Sequence, residues 1–390
     1  MDDEGYMKMA IDLSEIAMGR TSPNPMVGAV LVKHDRVIGF GAHLQAGTAH
    51  AEIHALTMAG EEARGSTLYV TLEPCAHHGR TPPCAPAVAA AGVRRVVIAV
   101  EDPFHLVAGR GVAILRSAGI EVSLGCLAAE ASRSNEVYLH YARTGRPFVI
   151  LKLAATLDGR IADQTGQRMT ITGPEAQLEV HRLRNVVDVI AVGVGTVLAD
   201  DPLLTTRLAQ GGRSPVRVIF DRSLRTPVFA QVVQDRSAPT IIVCDDTAEP
   251  GRIKSLEEMG VEVWALPASE QDNAGRVRHA LRALAERGLM HVLVEGGSTV
   301  AAAFIQADCV DRLWFFHAPT LLCGGIPAVS GSALSAACAG LSLRDVHWRT
   351  VGSDSLMTAT PERRDPGQQS GSGNGRDQDA GGGDHVHGID

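Results

Sequence analysis

Two hydrophobic patterns alternate along the first 145 residues of the chain. Short apolar runs bounded by turn residues predict β-strands, and apolar residues that recur every three or four positions predict helices. The predicted strands are Val27–Val32, Val37–Ala42, Thr67–Leu72 and Arg95–Val100, and the predicted helices are 7–19, His50–Ala59, Pro82–Ala91 and Glu130–Arg143. Because strands and helices of this size alternate, we expect a three-layer α/β domain with a largely parallel central sheet.

A polar segment, Arg-Thr-Gly-Arg-Pro at 143–147, separates this pattern from a second one. The strands predicted there are Phe148–Ala154, Val187–Val194, Val216–Phe220, Thr240–Cys244, Val261–Ala265 and His291–Val294, with a helix at Arg276–Arg287. We therefore expect one α/β domain at 1–145 and a second at 146–360. Residues 361–390 are mostly Gly, Ser, Gln and Asp, and so few apolar residues cannot offset chain entropy. This last segment is predicted to be a disordered tail.

The amino-acid composition limits which class of protein this chain can belong to. At 390 residues, 45% hydrophobic and 21% charged, the chain has the make-up of a globular protein with two hydrophobic cores. A formal net charge of −8 lacks the basic excess that phosphate-backbone binding usually needs, so we expect no nucleic-acid partner. The acidic N-terminus does not resemble a signal peptide, no apolar run reaches membrane-spanning length, and seven cysteines fit reduced thiols. These features predict a cytoplasmic protein with no membrane partner.

Three residues with metal-binding side chains accompany a carboxylate in the first domain. His50 begins a predicted helix, Cys75 follows a predicted strand, and Cys84 lies at the start of the next helix. One imidazole and two thiolates leave the fourth tetrahedral position of a zinc ion open for water, whose pKa the metal lowers to about 7. Glu52, two residues after His50, can carry a proton from that water to a leaving amine. The pattern predicts a catalytic site with one zinc per chain.

The surroundings of the two cysteines leave one alternative open. The proline-containing turns before them are expected to place each cysteine at a helix N-terminus, where the helix dipole favours the thiolate. A structural zinc closed by His77 or His78 as a fourth ligand would use the same cysteines, but it would leave Glu52 without a function. The other five cysteines have no paired spacing and are interpreted as small buried residues.

Several segments resemble one known family, the bifunctional riboflavin-biosynthesis deaminase/reductase, over roughly residues 5–355. The segments similar to its deaminase half are TSPNPMVGAV (21–30), HAE (50–52), TLEPCAHHGRTPPC (71–84) and VAGRG (107–111). The segments similar to its reductase half are LKLAATLDGRIA (151–162), VGVGTVLADDPLLTTR (192–207), FDRSLRTP (220–227) and VEGGSTVAAAF (294–304).

This resemblance implies a fold and a pair of reactions. The fold is a cytidine-deaminase-like three-layer α/β domain followed by a dihydrofolate-reductase-like α/β domain. The first reaction is zinc-dependent deamination of 2,5-diamino-6-ribosylamino-4-pyrimidinone 5′-phosphate, and the second is NADPH-dependent reduction of the ribosyl group to a ribityl chain. The partner is therefore a small pyrimidine ribose phosphate, and we also expect a homo-oligomer.

Matching positions supply the site residues that the resemblance implies. The deaminase pocket is expected to contain Asn24, His43, Arg80 and Asp102. The reductase substrate is expected to contact Lys152, Arg168, Arg184, Leu204, Arg207 and Glu295. The NADPH cofactor is expected to contact Ala154, Thr170, Thr196, Asp200, Asp221, Gly297, Ser298 and Thr299. Arg184 and Arg207 suit a terminal phosphate, because a guanidinium can bind it bidentately.

The chain departs from the family pattern at two places. Phe104-His105 stands where the family usually has Asn-Pro. Arg168 and Thr170 stand where the family has a substrate-contacting serine and a tryptophan that packs on the cofactor, so a large aromatic contact is missing. The changes at 168 and 170 support a second hypothesis, an active deaminase whose second domain binds substrate or holds an oligomer together without reducing substrate. A third hypothesis, a non-enzymatic zinc-stabilised binding module, is opposed by Glu52.

Overall fold

The computed structural model describes residues 1–78, 81–104, 107–164, 169–267, 272–330 and 341–362. These ranges contain a five-stranded sheet, a nine-stranded sheet and a small two-stranded sheet. Arg80, Arg168 and nearly all of the predicted tail at 361–390 lie outside the described residues. Across the described ranges, no helix has both the length and the apolar character needed to cross a membrane.

The first half of the chain forms the five-stranded sheet. Its strands are β1 (Gly28–Lys33), β2 (Arg36–Ala42), β3 (Thr67–Leu72), β4 (Arg95–Val100) and β5 (Glu121–Leu124). They lie in the order β2-β1-β3-β4-β5, with β1 antiparallel to both of its neighbours and β3, β4 and β5 parallel. The sheet is therefore mixed rather than largely parallel, because a tight turn joins β1 to β2 as a hairpin.

Helices cover both faces of this sheet and complete three layers. They are α1 (Asp3–Glu15), α2 (Ala51–Ala59), α3 (Cys84–Ala90), α4 (Arg110–Ser117), α5 (Ala128–Ser134) and α6 (Glu136–Thr144). Buried residues of α1 and α5 pack on one face, and those of α2, α3 and α4 pack on the other. The predicted three-layer α/β domain is confirmed.

Two of the differences from the predicted helices have a cause in side-chain hydrogen bonds. Helix α1 begins at Asp3, because the Asp2 side chain accepts a hydrogen bond from the Gly5 N–H and caps the helix. The helix predicted at 130–143 is interrupted at Asn135, whose backbone is not helical and whose side-chain oxygen accepts from the Met26 N–H. This asparagine connects the start of α6 to the loop before β1.

The second half of the chain contains the larger sheet. Its strands are β6 (Phe148–Thr156), β7 (Arg160–Ala162), β8 (Val189–Gly193), β9 (Val216–Phe220), β10 (Thr240–Asp245), β11 (Glu262–Leu266), β12 (His291–Glu295), β13 (Arg312–Ala318), β14 (Ile326–Pro327), β15 (Leu343–Val351) and β16 (Asp354–Pro361). Nine form one sheet in the order β11-β10-β9-β8-β12-β6-β13-β16-β15, parallel as far as β13 and antiparallel beyond it. Strands β7 and β14 pair separately. The sequence pattern missed β15 because almost all of its residues are exposed and form no apolar run.

Six further helices connect these strands. They are α7 (Pro174–Val186), α8 (Val194–Asp200), α9 (Gln231–Gln234), α10 (Pro250–Glu258), α11 (Asn273–Glu286) and α12 (Ser298–Gln306). The C-terminal ends of the parallel strands lie at one edge of the sheet, so the residues that follow them can meet in a single crevice.

Polar contacts, one of them fully buried, join the two halves. The Asp188 carboxylate, just before β8, is 1% exposed and accepts from the Ser22 hydroxyl at 2.8 Å and the Met290 N–H at 3.0 Å. On α6, Glu136 forms an ion pair with Arg312 of β13 at 2.6 Å. Helix α6 therefore belongs to the first half by sequence and contacts both halves in space.

Helix α4 lies directly against the turn that precedes Cys75. A Cβ atom at Gly111 would lie 2.0 Å from the backbone oxygen of Pro74, far inside van der Waals contact. Glycine is required at position 111 because of this backbone contact.

We expect Gly111→Ala to lower the free energy of unfolding by about 1–3 kcal/mol, because the added methyl group overlaps backbone atoms that cannot rotate away. Gly251→Ala is the matched control. Gly251 is also the second residue of a helix, and a Cβ there would lie 3.5 Å from its nearest neighbour, on the Glu249 side chain. Thermal unfolding of both variants and the wild type is the measurement. Equal stability of all three proteins would contradict the contact between α4 and the Cys75 turn.

Candidate active sites

Three metal-binding side chains meet beside the first sheet. His50 lies immediately before α2, Cys75 follows β3, and Cys84 is the first residue of α3. His50 Nδ1 lies 3.5 Å from the Cys75 sulfur and 3.2 Å from the Cys84 sulfur, and all three ligand atoms lie within 4.8 Å of one another. Tetrahedral zinc, with Zn–S of about 2.3 Å and Zn–N of about 2.0 Å, holds such atoms roughly 3.6 Å apart. The donor set and its spacing fit a zinc ion.

The His50 ring is held in the orientation that a metal ligand needs. Its Nε2 lies 3.2 Å from the Thr81 hydroxyl oxygen. A proton on Nε2 donated to that oxygen leaves the lone pair of Nδ1 directed at the two sulfurs. Neither His77 nor His78 belongs to the cluster within the described ranges, so the cluster supplies three ligands and leaves a tetrahedral position for water.

The two cysteines have different local surroundings. Cys84 begins helix α3, and its backbone N–H donates to the Cys75 sulfur at 3.2 Å. A hydrogen bond from the Cys84 thiol, together with His50, lowers the pKa of Cys75 to about 4. Cys75 lies in an irregular segment, so the prediction of a helix N-terminus is wrong for Cys75 and holds for Cys84. Neighbouring donors, and not a helix dipole, stabilise the Cys75 thiolate.

Glu52 lies in the first turn of α2 and is 3% exposed. Burial is the main reason, and the negative charge of Cys75 the second, that the pKa of Glu52 is raised to about 7. A carboxyl group with a pKa near neutrality can both accept and release a proton at physiological pH. Glu52 therefore adjoins the ligand cluster with the chemistry of a proton carrier.

A polar pair extends the pocket from the ligand cluster. The His43 ring packs edge-on against the His50 ring, with 5.0 Å between centroids. Its Nδ1 lies 3.2 Å from the Ala49 backbone oxygen, and its Nε2 lies 3.1 Å from the Asn24 side-chain nitrogen. Burial lowers the pKa of His43, so the ring is neutral at pH 7, with its proton assigned to Nδ1 by the Ala49 acceptor. A neutral His43 suits hydrogen bonding to a heterocycle better than pairing with a phosphate charge.

Glu73 connects the Cys75 turn to the loop that carries Asp102. Its buried carboxylate accepts from the backbone N–H groups of Asp102 at 3.3 Å, Gly109 at 3.0 Å and Val112 at 3.0 Å. Asp102 lies just past the end of β4 and is 5% exposed. One carboxylate therefore determines where Asp102 lies relative to the metal ligands.

Sequence reasoning missed three contributors to this site, Glu73, Thr81 and Tyr138. A signal existed for Glu73, because a charged residue at the end of a buried strand is rarely buried without a partner. Tyr138 donates its hydroxyl to Asp102, yet it lies in α6, far along the chain from the recognised segments. Arg80, expected in the same pocket, lies outside the described residues.

A cleft of about 1080 Å³ lies at the C-terminal edge of the parallel strands in the second sheet. Twelve residues predicted to contact substrate or NADPH line it: Lys152, Ala154, Arg184, Thr196, Asp200, Leu204, Arg207, Asp221, Glu295, Gly297, Ser298 and Thr299. Thr170 is exposed and does not line the cleft, whereas its neighbour Met169 does. Residues far apart in sequence are therefore brought into one site.

A buried ionic triad forms one wall of the cleft. Lys152 on β6 and Glu295 at the end of β12 are paired in register on neighbouring strands. Arg184 donates to the two Glu295 oxygens at 2.6 and 2.9 Å. Burial raises the pKa of Glu295, but Arg184 and Lys152 together hold this pKa below its usual range. Burial lowers the pKa of Lys152. Arg184 binds Glu295 bidentately, so it does not present the phosphate fork that the sequence suggested.

Other residues that line the cleft have features that fit a dinucleotide. Gly296 and Gly297 have φ angles of +83° and +78°, which only glycine adopts easily, and they turn the chain into α12. Asp221 is 1% exposed, and its Oδ2 accepts from the N–H and hydroxyl of Thr226. Its Oδ1 is buried with no hydrogen-bond partner in the described part of the chain. A buried acceptor at a cleft suits a ribose hydroxyl, so these residues fit a nicotinamide dinucleotide.

The protein-family models that match this chain cover the same two halves that the two sheets define. Residues 1–100 match the cytidine and deoxycytidylate deaminase zinc-binding region, and residues 147–357 match the RibD C-terminal domain. The riboflavin biosynthesis protein RibD of Bacillus amyloliquefaciens is 44% identical over 362 residues, which cover 92% of this chain and 96% of that protein.

Solved structures extend the similarity to the whole fold. Form 1 of Acinetobacter baumannii RibD has a TM-score of 0.81 at 36% identity, covering 93% of this chain and 99% of that one. The diaminohydroxyphosphoribosylaminopyrimidine deaminase/5-amino-6-(5-phosphoribosylamino)uracil reductase of Thermotoga maritima has a TM-score of 0.78 at 36% identity, covering 92% and 98%. The predicted deaminase-like and dihydrofolate-reductase-like domains are confirmed. The chain therefore belongs to the RibD family, as a bifunctional enzyme of riboflavin biosynthesis with a zinc-dependent deaminase half and an NADPH-dependent reductase half.

Proposed function

We propose that His50, Cys75 and Cys84 hold one zinc ion per chain and that Glu52 moves the proton in deamination. The observation that carries this proposal is the buried Glu52 carboxyl beside a cluster of three ligands. Three ligands keep a tetrahedral position for a reacting water, whereas a structural zinc is closed by four.

The reaction needs one proton to travel from water to nitrogen. The Thermotoga maritima relative is named for a diaminopyrimidine ribose phosphate, and we infer the same substrate class here. Zinc, when bound, supplies the Lewis acidity that activates water. Glu52 accepts a proton from the water as its oxygen bonds to the ring carbon, and gives a proton to the exocyclic nitrogen as the carbon–nitrogen bond breaks. Water is consumed and ammonia leaves, so the atoms balance.

The rest of the deaminase pocket binds the substrate in this proposal. Asn24 hydrogen-bonds to the pyrimidine, the neutral His43 beside it accepts from the Asn24 amide and lines the pocket, and Asp102 accepts from the N–H groups of the pyrimidine. Arg80 is proposed to bind the phosphate on the family resemblance alone.

The reductase half requires a proton for the sugar oxygen. NADPH, when bound, supplies the two reducing electrons at C1′ of the ribosyl group. The sugar ring opens, so its oxygen gains a proton, and Lys152 Nζ is the group in the buried triad that can hold one. Arg184 orients Glu295, and Arg207, which is exposed at the cleft, takes the role of phosphate contact.

The remaining assignments in the second half follow the family pattern and stay proposals. Arg168 and Leu204 are proposed substrate contacts. The proposed NADPH contacts are Ala154, Thr196, Asp200, Asp221, Gly297, Ser298 and Thr299, all of which line the cleft.

Glu52→Gln and Lys152→Met should separate the two activities. The amide introduced by Glu52→Gln keeps the shape of the side chain but cannot carry a proton, so deamination should fall about 10²–10⁴-fold with zinc retained. Lys152→Met should lower reduction by a comparable factor. Each variant should keep the other activity, measured as ammonia release from the diamino substrate and NADPH oxidation with the deaminated intermediate.

Exposed residues of the same types provide the controls for this pair. Glu61→Gln and Lys254→Met change a carboxylate and an ammonium on the surface, and both activities should stay at the wild-type level. Turnover by Glu52→Gln or Lys152→Met within a few-fold of wild type would remove that residue from its proposed role.

Thr81→Val should weaken zinc binding about 10- to 100-fold, because the hydroxyl that orients the His50 ring is lost. Thr81→Ser keeps a hydroxyl at this position and should bind zinc as the wild type does. Competition with a chelator of known affinity gives the measurement. An unchanged affinity in Thr81→Val would show that another group orients the imidazole.

The homo-oligomer is proposed to form through β15. This strand ends the nine-stranded sheet, nearly all of its residues are exposed, and Trp348 on it is 60% exposed. A sheet edge that carries a large apolar residue favours pairing with a second copy. Light scattering should give at least a dimer for the wild type and a smaller species for Trp348→Glu. A monomeric wild type would refute the proposal.

Domain limits and location complete the proposal. The domains are taken as 1–145 and 146–360, because α6 ends at Thr144 and β6 begins at Phe148. A cytoplasmic location is proposed because Cys75 and Cys84 bind zinc only as reduced thiols. Separate expression of the two parts and cell fractionation check these two assignments.

A further inference from the structure

Helix α6 reaches the deaminase pocket with a residue that the proposed mechanism does not use. Tyr138 is 9% exposed, and its ring packs in the core of the first half with Leu139. Its hydroxyl lies 3.0 Å from each carboxylate oxygen of Asp102. A buried phenol and a buried carboxylate are therefore direct partners.

Asp102 has to act as an acceptor although it is buried. Burial raises the pKa of Asp102, whereas hydrogen bonds from the Phe104 backbone N–H at 2.9 Å and from the Tyr138 hydroxyl lower it. The charge of Glu73 raises this pKa and that of His77 lowers it. Several described groups influence the pKa of Asp102. Among them, Tyr138 is the side chain that donates a hydrogen bond to the carboxylate.

We propose that Tyr138 is a positioning residue for deamination, whose hydroxyl orients Asp102 toward the N–H groups of the diaminopyrimidine. The inference rests on the proposed function, in which Asp102 binds the pyrimidine edge. An uncharged hydroxyl suits this task, because an arginine would cover both carboxylate oxygens bidentately. A single O–H occupies one of about four lone-pair sites and leaves acceptor capacity for the substrate.

The start of α6 also contacts the loop that carries Asn24. Asn135, directly before the helix, accepts from the Met26 N–H at 3.1 Å, two residues after Asn24. The same helix end therefore positions both the Asn24 loop and, through Tyr138, the Asp102 loop. A residue at this place can affect substrate geometry without contacting the metal ligands.

Tyr138→Phe tests the inference, because it removes one oxygen atom and keeps the buried ring. Tyr141→Phe is the matched control. Tyr141 lies three residues later in α6 and donates its hydroxyl to the Ala285 backbone oxygen at 3.3 Å, in the second half of the chain. Both full-length, zinc-loaded variants are assayed for deamination of the diaminopyrimidine ribose phosphate and for reduction of the deaminated intermediate.

Tyr138→Phe should lower kcat/KM for deamination roughly 10- to 100-fold, because a hydrogen bond to a charged group is lost. Zinc content and reduction should stay within about twofold of wild type. The hydroxyl lowers the pKa of Asp102, so its loss raises that pKa and should move the acid limb of the kcat/KM profile to higher pH. Tyr141→Phe should change none of these quantities.

Asp102→Asn completes a double-mutant cycle. If Tyr138 acts through Asp102, the double variant should be no slower than Asp102→Asn alone. Three results would overturn the inference: deamination by Tyr138→Phe within about twofold of wild type, additive losses in the double variant, or an equal fall in reduction. A wild-type chain that does not deaminate the substrate would instead refute the proposed function, so the two failures are distinguishable.

Discussion

Buried carboxylates that accept backbone hydrogen bonds determine how the segments of this chain meet. Glu73 accepts from three N–H groups beside the Cys75 turn. Asp188 accepts from the Met290 and His291 N–H groups of its own half and from the Ser22 hydroxyl of the other half. A buried carboxylate without donors is strongly destabilising, so each loop is confined to the geometry that supplies them. The deaminase pocket and the junction between the halves both depend on this constraint.

The two sites use opposite charge arrangements for their chemistry. Two cysteine sulfurs and Glu52 meet in the first site, an anionic set that a divalent cation compensates. The second site places Lys152 and Arg184 against Glu295, and the extra cation suits proton delivery beside a phosphorylated substrate. Family membership, together with this division, favours the bifunctional enzyme over a non-enzymatic zinc module and over a second domain without reductase function.

The features that could be predicted from the sequence are those that depend on short, local patterns of residues. Apolar runs gave the core strands, and motif spacing gave His50, Cys75 and Cys84, because these residues lie close to short, recognisable segments. Contacts between distant segments were not predictable. Tyr138 meets Asp102 only through the packing of α6, and Arg184 pairs with Glu295 instead of a phosphate because two elements far apart in the chain are adjacent in space. Strand β15 lacked an apolar run because it is exposed.

The central claim is that this chain catalyses deamination and then reduction. It is tested most directly by identifying the products of each step. Full-length, zinc-loaded protein is incubated with the diaminopyrimidine ribose phosphate, first alone and then with NADPH, and the products are identified by mass spectrometry. We expect ammonia and the deaminated ribosyl compound without NADPH, and the ribityl compound only after NADPH is added. A reduced product that keeps the amino group, or the absence of any product before NADPH is added, would contradict the assignment of the two sites.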